Sequence, residues 1–170
     1  MCGIVAIISP WVEIHDEVLC VVRDRLAHRG PDAGLSWIHK NGRLALAHRR
    51  LSIIDISREA DQPMVSSDGN FHIVFNGEIY NYLELRAELV ARGVTFRTKS
   101  DTEVLLNGFA IWGEDVLTRL NGMFAFAIWD ERRKRMFIAR DRFGEKPLFI
   151  GRGERQVVVI ASEMKAILAY

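Results

Sequence analysis

Apolar and polar positions change period several times along this chain. Ile4-Val5-Ala6-Ile7-Ile8 is a short continuous apolar run, which predicts a buried strand closed by Ser9-Pro10. Over residues 15–27 the apolar positions Val18, Leu19, Val22 and Leu26 recur at spacings of three and four, predicting an amphipathic helix. Ser36-Trp37-Ile38 and Leu44-Ala45-Leu46-Ala47 flank Asn41-Gly42 and predict a hairpin. Asp68-Gly69 predicts a second one, just before a strand at Phe71-His72-Ile73-Val74-Phe75 that ends at Asn76-Gly77. Asn81, with Glu84 three residues on, has the pattern of a capping box. The helix it opens carries Tyr82, Leu85 and Leu89 on one face and stops at Gly93. Ser100-Asp101-Thr102-Glu103 opens another helix, through about Trp112. Residues 123–129 are apolar on both faces, so that strand must be covered on both sides. Further strands are expected at 136–139, 148–150 and 156–160, with Ser162 capping a last helix.

Strands joined by tight turns dominate, and helices occur in the first half and at the end. This is an α+β pattern with much antiparallel sheet. Two sheets packed face to face with helices outside would cover the doubly apolar strand. No internal repeat, low-complexity tract or linker interrupts the pattern, and 170 residues suit one domain with a real core. With 49% apolar and 26% charged residues the composition is that of a globular protein. A formal net charge of +1 gives no global pull toward nucleic acid or an anionic membrane. The one charge run, Arg132-Arg133-Lys134-Arg135, lies between apolar strands and is expected to be a solvated hairpin turn. Cys2 and Cys20 stand at no metal-ligand or disulfide spacing, so no metal is expected, and Cys20 is expected to be a buried helix residue. Neither a membrane-length apolar run nor a signal peptide is present, and a reduced, cytoplasmic setting is expected.

The candidate chemistry begins at Met1-Cys2-Gly3-Ile4. If Met1 is removed, Cys2 carries a thiol nucleophile and an α-amine base on one residue. Their reference pKa values are about 8.5 and about 7.7–8.0, so the amine can take the thiol's proton near neutrality. Gly3 would leave room beside the sulfur. The plainer reading is a small residue at a frayed terminus. His28 and His48 are other residues able to act as a base, but no motif ties either to Cys2. A thiol attacking an amide also needs donors for the oxyanion. Asn76-Gly77 offers a side-chain amide and a backbone N–H side by side; the pair is common in hairpin turns, but Glu78 and then a capped helix follow, so a simple two-residue hairpin fits poorly. Arg50 could grip a carboxylate through two parallel bonds. Glu78 and Asp101 could hold an ammonium group, or could be a surface carboxylate and a helix cap. These residues would suit a thiol amidohydrolase acting on an amino-acid amide, and spacing alone carries the reading no further.

Seven stretches stand in order: Met1-Cys2-Gly3-Ile4, His28-Arg29-Gly30-Pro31-Asp32, Arg50-Leu51-Ser52-Ile53-Ile54-Asp55, Gln62-Pro63-Met64, Phe75-Asn76-Gly77-Glu78-Ile79-Tyr80-Asn81, Ser100-Asp101-Thr102-Glu103 and Arg140-Asp141-Arg142-Phe143-Gly144-Glu145-Lys146-Pro147-Leu148. Together they resemble the class II glutamine amidotransferase domain of glutamine-hydrolysing asparagine synthetases, over nearly the whole chain. The resemblance implies an N-terminal nucleophile hydrolase fold, a four-layer αββα sandwich of two mainly antiparallel sheets, spanning residues 1–170. It implies Cys2 as nucleophile, Asn76 and Gly77 as the oxyanion pair, and Arg50 at the glutamine carboxylate. Glu78 and Asp101 would meet the α-amino group, and Leu51, Ser52, Ile53 and Ile54 would line the pocket. L-glutamine is the implied substrate, with no cofactor for its hydrolysis. ATP and Mg are expected only in an ATP-dependent synthetase domain, whose phosphate loop does not occur here. The chain therefore reads as an excised N-terminal domain, with that synthetase domain as partner and a homodimer as a further expectation. Rival readings are a domain serving a different acceptor, a sugar or a peptide, a non-catalytic glutamine-binding module, and a penicillin-acylase-like hydrolase.

Overall fold

The computed structural model describes residues 1–52 and 54–170. Along the chain run β1 (Gly3–Ile8), α1 (Asp16–Asp24), β2 (Ala33–Ile38), β3 (Leu44–Arg50), β4 (Met64–Val65), β5 (Phe71–Ile79), α2 (Tyr82–Ala91), α3 (Asp101–Trp112), α4 (Val116–Arg119), β6 (Gly122–Asp130), β7 (Arg135–Arg140), β8 (Phe149–Arg152), β9 (Val158–Ala161) and α5 (Met164–Ile167). The strands form two sheets, in the orders β2-β3-β1-β9-β8 and β4-β5-β6-β7. Every neighbouring pair in both sheets is antiparallel.

Side chains alternate between the faces of a strand, and here that alternation sorts them into three cores. Val5, Ile7, Ala45, Ala47 and Val159 face outward from the first sheet and pack with Leu19, Val22 and Leu26 of and just beyond α1. Ile73, Phe75, Ile79, Phe124, Phe126 and Ile128 face outward from the second sheet and meet Leu85 and Leu89 of α2 and Val104, Leu105 and Phe109 of α3. Ile4, Ala6, Leu46, Val74, Ala125, Ala127 and Ile160 fill the space between the sheets. Three apolar layers require four structural layers, so the architecture is the αββα sandwich. The doubly apolar β6 is central to it, with Ala125 and Ala127 turned inward and Phe124, Phe126 and Ile128 outward.

Local signals with a local partner hold. Ser100 accepts the Glu103 N–H at 3.2 Å and caps α3. Gly42 and Gly69 take φ of 70° and 73° in the two hairpin turns. The basic run 132–135 joins β6 to β7, its cations paired with Asp68, Asp130, Glu131 and Glu114.

Other expectations are corrected. The first helix is shorter than 15–27, and Val18 is exposed because Leu19, Val22 and Leu26 alone make the buried stripe. Cys20 is half-buried and faces the Asp16 carboxylate rather than the core. Asn81 precedes α2 without capping it; its side chain instead bonds the Arg119 carbonyl and the Asn121 N–H across the fold. Ser162 caps no helix, because its hydroxyl accepts the Ile4 N–H at 3.0 Å. Asn76-Gly77 is not a turn and does not end the strand: β5 runs through it to Ile79, paired with β6. Glycine is required at position 77 by that pairing, since a Cβ there would lie 2.3 Å from the Met123 carbonyl oxygen.

Candidate active site

The inward rows of three strands change character at one end of the sandwich. On β3 the row runs Leu46, His48, Arg50; on β5 it runs Val74, Asn76, Glu78. On the β1 row, Ala6 and Ile4 are followed by Cys2, one step beyond the Gly3–Arg49 pair and so opposite Arg50. Strand alternation thus carries the nucleophile candidate, the guanidinium and the amide out of one apolar layer to one place. α3 adds Asp101 from its first turn. A cavity of about 150 Å³ opens there, lined by Cys2, Arg50, Asn76, Gly77, Glu78 and Asp101. Leu51 and Ile54 also reach its wall, and Ser52 does not. The Ser52 N–H is instead donated to the Asp32 carboxylate at 2.8 Å, which ties down the loop after β3. Ile53, expected in the pocket lining, lies outside the described residues. A wider groove of about 670 Å³ between β8 and α5 contains neither cysteine and none of these side chains.

The Cys2 thiol is held between the Leu51 carbonyl, which it approaches at 3.6 Å, and the Leu51 N–H at 3.4 Å. Burial pushes the thiol above its ordinary range, against the lowering by the Leu51 contact and nearby positive charge. Arg29 donates Nε to the Cys2 carbonyl at 2.8 Å and Nη1 to Glu163 at 2.9 Å, so two distant segments fix the terminus. Gly3 is needed for a different reason than room beside the sulfur: a Cβ there would sit 2.7 Å from the Leu26 Cβ. Met1 lines the same cavity and stands more than half exposed over it.

The second strand's edge supplies the donors. β4 pairs with β5 only at Ile73 and His72, so from Phe75 onward the outer edge of β5 has no strand beside it. Side chains replace the strand. Gln62 Oε1 accepts the Phe75 N–H at 2.6 Å, and Asp101 Oδ2 accepts the Ile79 N–H at 3.0 Å. Backbone groups of alternate residues point to the same edge, so the Gly77 N–H faces the gap between Gln62 and Asp101. Beside it, the Asn76 Nδ2 is buried and has no hydrogen-bond partner among the described residues. Buried amide donors are nearly always paired, and an Asn76 amide without a partner among the described residues, beside a backbone N–H facing the same cavity, forms a site ready for an oxygen that carries charge.

Charge is arranged around that gap. Asp101 is buried, and desolvation raises its pKa to about 6 despite the backbone N–H groups it accepts, with Glu78 adding a further upward push. Glu103 anchors the segment before α3 by accepting the Arg97 and Thr98 N–H groups. Arg50 is buried and pairs with Asp61, and it donates to the carbonyls of Asp55 and Ser57. Asp141 accepts the N–H groups of Phe124, Phe143, Glu145 and Lys146, and so holds Lys146 against the cavity. Gln62, Asp141 and Arg29 were not singled out from the sequence as site residues; their place in the seven ordered stretches was the available signal.

The chain is similar to known proteins over its whole length. The sequence profile of the family described as "Glutamine amidotransferase domain" matches residues 1–170. The chain belongs to this family. The amidotransferase domain is 42% identical over 178 residues to asparagine synthetase [glutamine-hydrolyzing] 3 of Bacillus subtilis (strain 168), covering 100% of this chain and 28% of that protein. It is 42% identical over 183 residues to a putative asparagine synthetase [glutamine-hydrolyzing] of Mycobacterium tuberculosis (strain ATCC 25618 / H37Rv), covering 99% and 28%. It is also similar to amidase chry2 of Gibberella zeae, at 40% over 147 residues, 86% of this chain and 22% of that one. The domain thus spans about 28% of the length of the synthetases it matches. Among solved structures it superposes on glutamine phosphoribosylpyrophosphate amidotransferase from B. subtilis, complexed with ADP and GMP. The TM-score is 0.83 at 26% identity, covering 99% of this chain and 43% of that one. The domain has the N-terminal nucleophile hydrolase fold. Among the described residues, no helix is long and apolar enough to cross a membrane.

Proposed function

We propose that the domain hydrolyses L-glutamine to L-glutamate and ammonia through a Cys2 thioester. The observation that carries this reading is the buried, unpartnered Asn76 amide beside the Gly77 N–H, in one cavity with the Cys2 thiol. Removal of Met1 frees the Cys2 α-amine. The amine takes the thiol proton as Sγ bonds to the side-chain amide carbon of glutamine. The oxyanion is received by Asn76 Nδ2 and the Gly77 N–H. The amine returns the proton to the departing nitrogen, ammonia leaves, and a glutamyl thioester remains. Water, deprotonated by the same amine, cleaves the thioester to glutamate and restores the thiol. Arg50 receives the substrate carboxylate, and Asp101 with Glu78 receives its ammonium group, while Leu51 and Ile54 border the aliphatic stem. No metal or cofactor is assigned to these steps.

The relatives named asparagine synthetase support ammonia transfer to aspartate as the use of this half-reaction. A further ATP- and Mg-dependent domain of a longer polypeptide in a cytoplasmic setting would perform it. The test is intact-mass confirmation of an N-terminal cysteine, then a glutamate-release assay and mass-spectrometric trapping of a glutamyl adduct on Cys2. Folded, correctly processed protein that releases no glutamate and forms no adduct would overturn the proposal.

A further inference from the structure

We propose that His48 is a positioning residue for the oxyanion donors: its neutral imidazole holds the Phe75 carbonyl and thereby sets where Asn76 and Gly77 stand. The inference rests on the glutaminase reading above. His48 is buried in the inward row of β3, between Leu46 in the apolar layer and Arg50 at the cavity. From the first sheet it reaches across to the second, where its Nε2 lies 3.1 Å from the Phe75 oxygen. A carbonyl can only accept, so Nε2 carries the proton and Nδ1 does not. Nδ1 is buried and bonded to nothing among the described residues. No relay therefore leads from this ring to the thiol, and His48 is not the base. Burial lowers its pKa to about 3, so the ring stays neutral at every pH where the domain would work.

What the bond holds is the peptide joining Phe75 to Asn76. On its other side that peptide lies in the β5–β6 ladder, at the Asn76–Ala125 pair. One residue back, Gln62 holds the Phe75 N–H. The outer edge of β5 is therefore fixed by side chains immediately before the two donors, where no neighbouring strand does so. An apolar side chain at position 48 would fit its neighbours Ile4 and Leu46, but would leave the Phe75 carbonyl without its partner and the peptide free to rotate. Displacement of a donor by about an ångström is enough to cost on the order of 100-fold in rate.

The experiment compares processed wild-type protein with His48→Gln, which keeps a side-chain N–H of similar reach, and His48→Leu, which has none. Two rates are read on each: kcat and KM for glutamine, and alkylation of Cys2 by iodoacetamide, with peptide mapping to separate Cys2 from Cys20. Alkylation is a displacement at a saturated carbon and develops no oxyanion. Expected are a fall in kcat of about 10- to 100-fold for His48→Leu, with KM within about threefold. Its alkylation rate should be unchanged, and kcat in His48→Gln should return to within about fivefold of wild type. If alkylation falls in parallel with kcat, His48 acts on the thiol and the proposal is overturned. It is equally overturned if His48→Leu retains kcat, or if folded His48→Gln loses as much as His48→Leu. Should the leucine variant fail to unfold cooperatively, His48→Asn, too short to reach the carbonyl, takes its place with the same expected split. Wild-type protein that is alkylated at Cys2 but does not turn over glutamine would count against the glutaminase reading instead.

Discussion

Replacing Asn76 by alanine should separate stability from activity. The Nδ2 donor is buried and has no partner among the described residues. Leaving such a group unsatisfied costs about 1–3 kcal/mol, and the truncation relieves that cost while losing a few packing contacts. The net change in stability should lie between zero and about 1 kcal/mol in favour of the variant. For a chain of this length that is at most about 2–4 °C in Tm. The oxyanion, by contrast, loses one of its two donors, worth about 2.7–4 kcal/mol, or a fall in kcat of about 100- to 1000-fold. KM should change little, because the charge appears only in the transition state. Calorimetry and a glutamate-release assay on processed protein read both quantities. A variant with wild-type kcat would refute the assignment of the donor. A variant melting more than about 5 °C lower would refute the claim that this amide is held against the fold's own preference.

Arg50→Ala and Asp101→Ala should each lower kcat/KM by about 30- to 1000-fold, corresponding to about 2–4 kcal/mol for a lost charged anchor, with far-UV circular dichroism unchanged. Wild-type kinetics for both would show that the substrate lies elsewhere. Because the folded-state pKa of Asp101 is raised to about 6, the carboxylate is lost as pH falls through 6, and KM for glutamine should rise there. The same shift means that ionisation weakens the fold as pH rises from about 4 to 6. Asp101→Asn should therefore be more stable than wild type at pH 7 while binding glutamine poorly, and a KM limb that persists in Asp101→Asn would assign it to another group. Retaining Met1, or acetylating Cys2, should abolish glutamate release with the fold intact; turnover of the acetylated form at the processed rate would place the base elsewhere.

The elements legible in the sequence are those whose cause is local. α3 was readable because Ser100 accepts from Glu103 three residues away, and the hairpins because Gly42 and Gly69 sit in the turns themselves. Asn81 and Ser162 carry the same chemistry as caps, but distant backbone claims them: Asn121 and Arg119 for one, Ile4 for the other. No local rule distinguishes the two situations. Asn76-Gly77 reads as the end of a strand for the same reason; the glycine answers to the backbone of β6, which is known only once the register is known. The candidate site divides likewise. Cys2, Arg50, Asn76, Gly77, Glu78 and Asp101 could be named because each has chemistry of its own, and all six reach one cavity. His48, Gln62 and Arg29 act by holding main-chain groups of remote residues, and those contacts exist only after the sheets have stacked.

That division has a physical root in the layer between the sheets. An apolar interlayer is a poor place for a thiol, a carboxylate, an imidazole and an unpaired amide. Cys2 and Asp101 are raised by burial, His48 is lowered by it, and Asn76 stays unsatisfied. Strand alternation confines Cys2, His48, Arg50, Asn76 and Glu78 to the last one or two inward positions of the β1, β3 and β5 rows, with Asp101 added from α3, while Ile4, Ala6, Leu46 and Val74 of the same rows stay apolar. The outward rows are untouched and keep two complete cores against the helices. The fold can therefore hold several groups in states they disfavour, because the layers that stabilise it are not those that contain them. In the proposed mechanism the nucleophile must also be an N-terminal residue, because its own amine is the base. β1 meets both demands: it lies inside the first sheet between β3 and β9, and its inward row ends at the terminus. A strand at the sheet edge would free the amine but leave Cys2 loosely placed, and a strand inside the chain would place the thiol but carry no free amine.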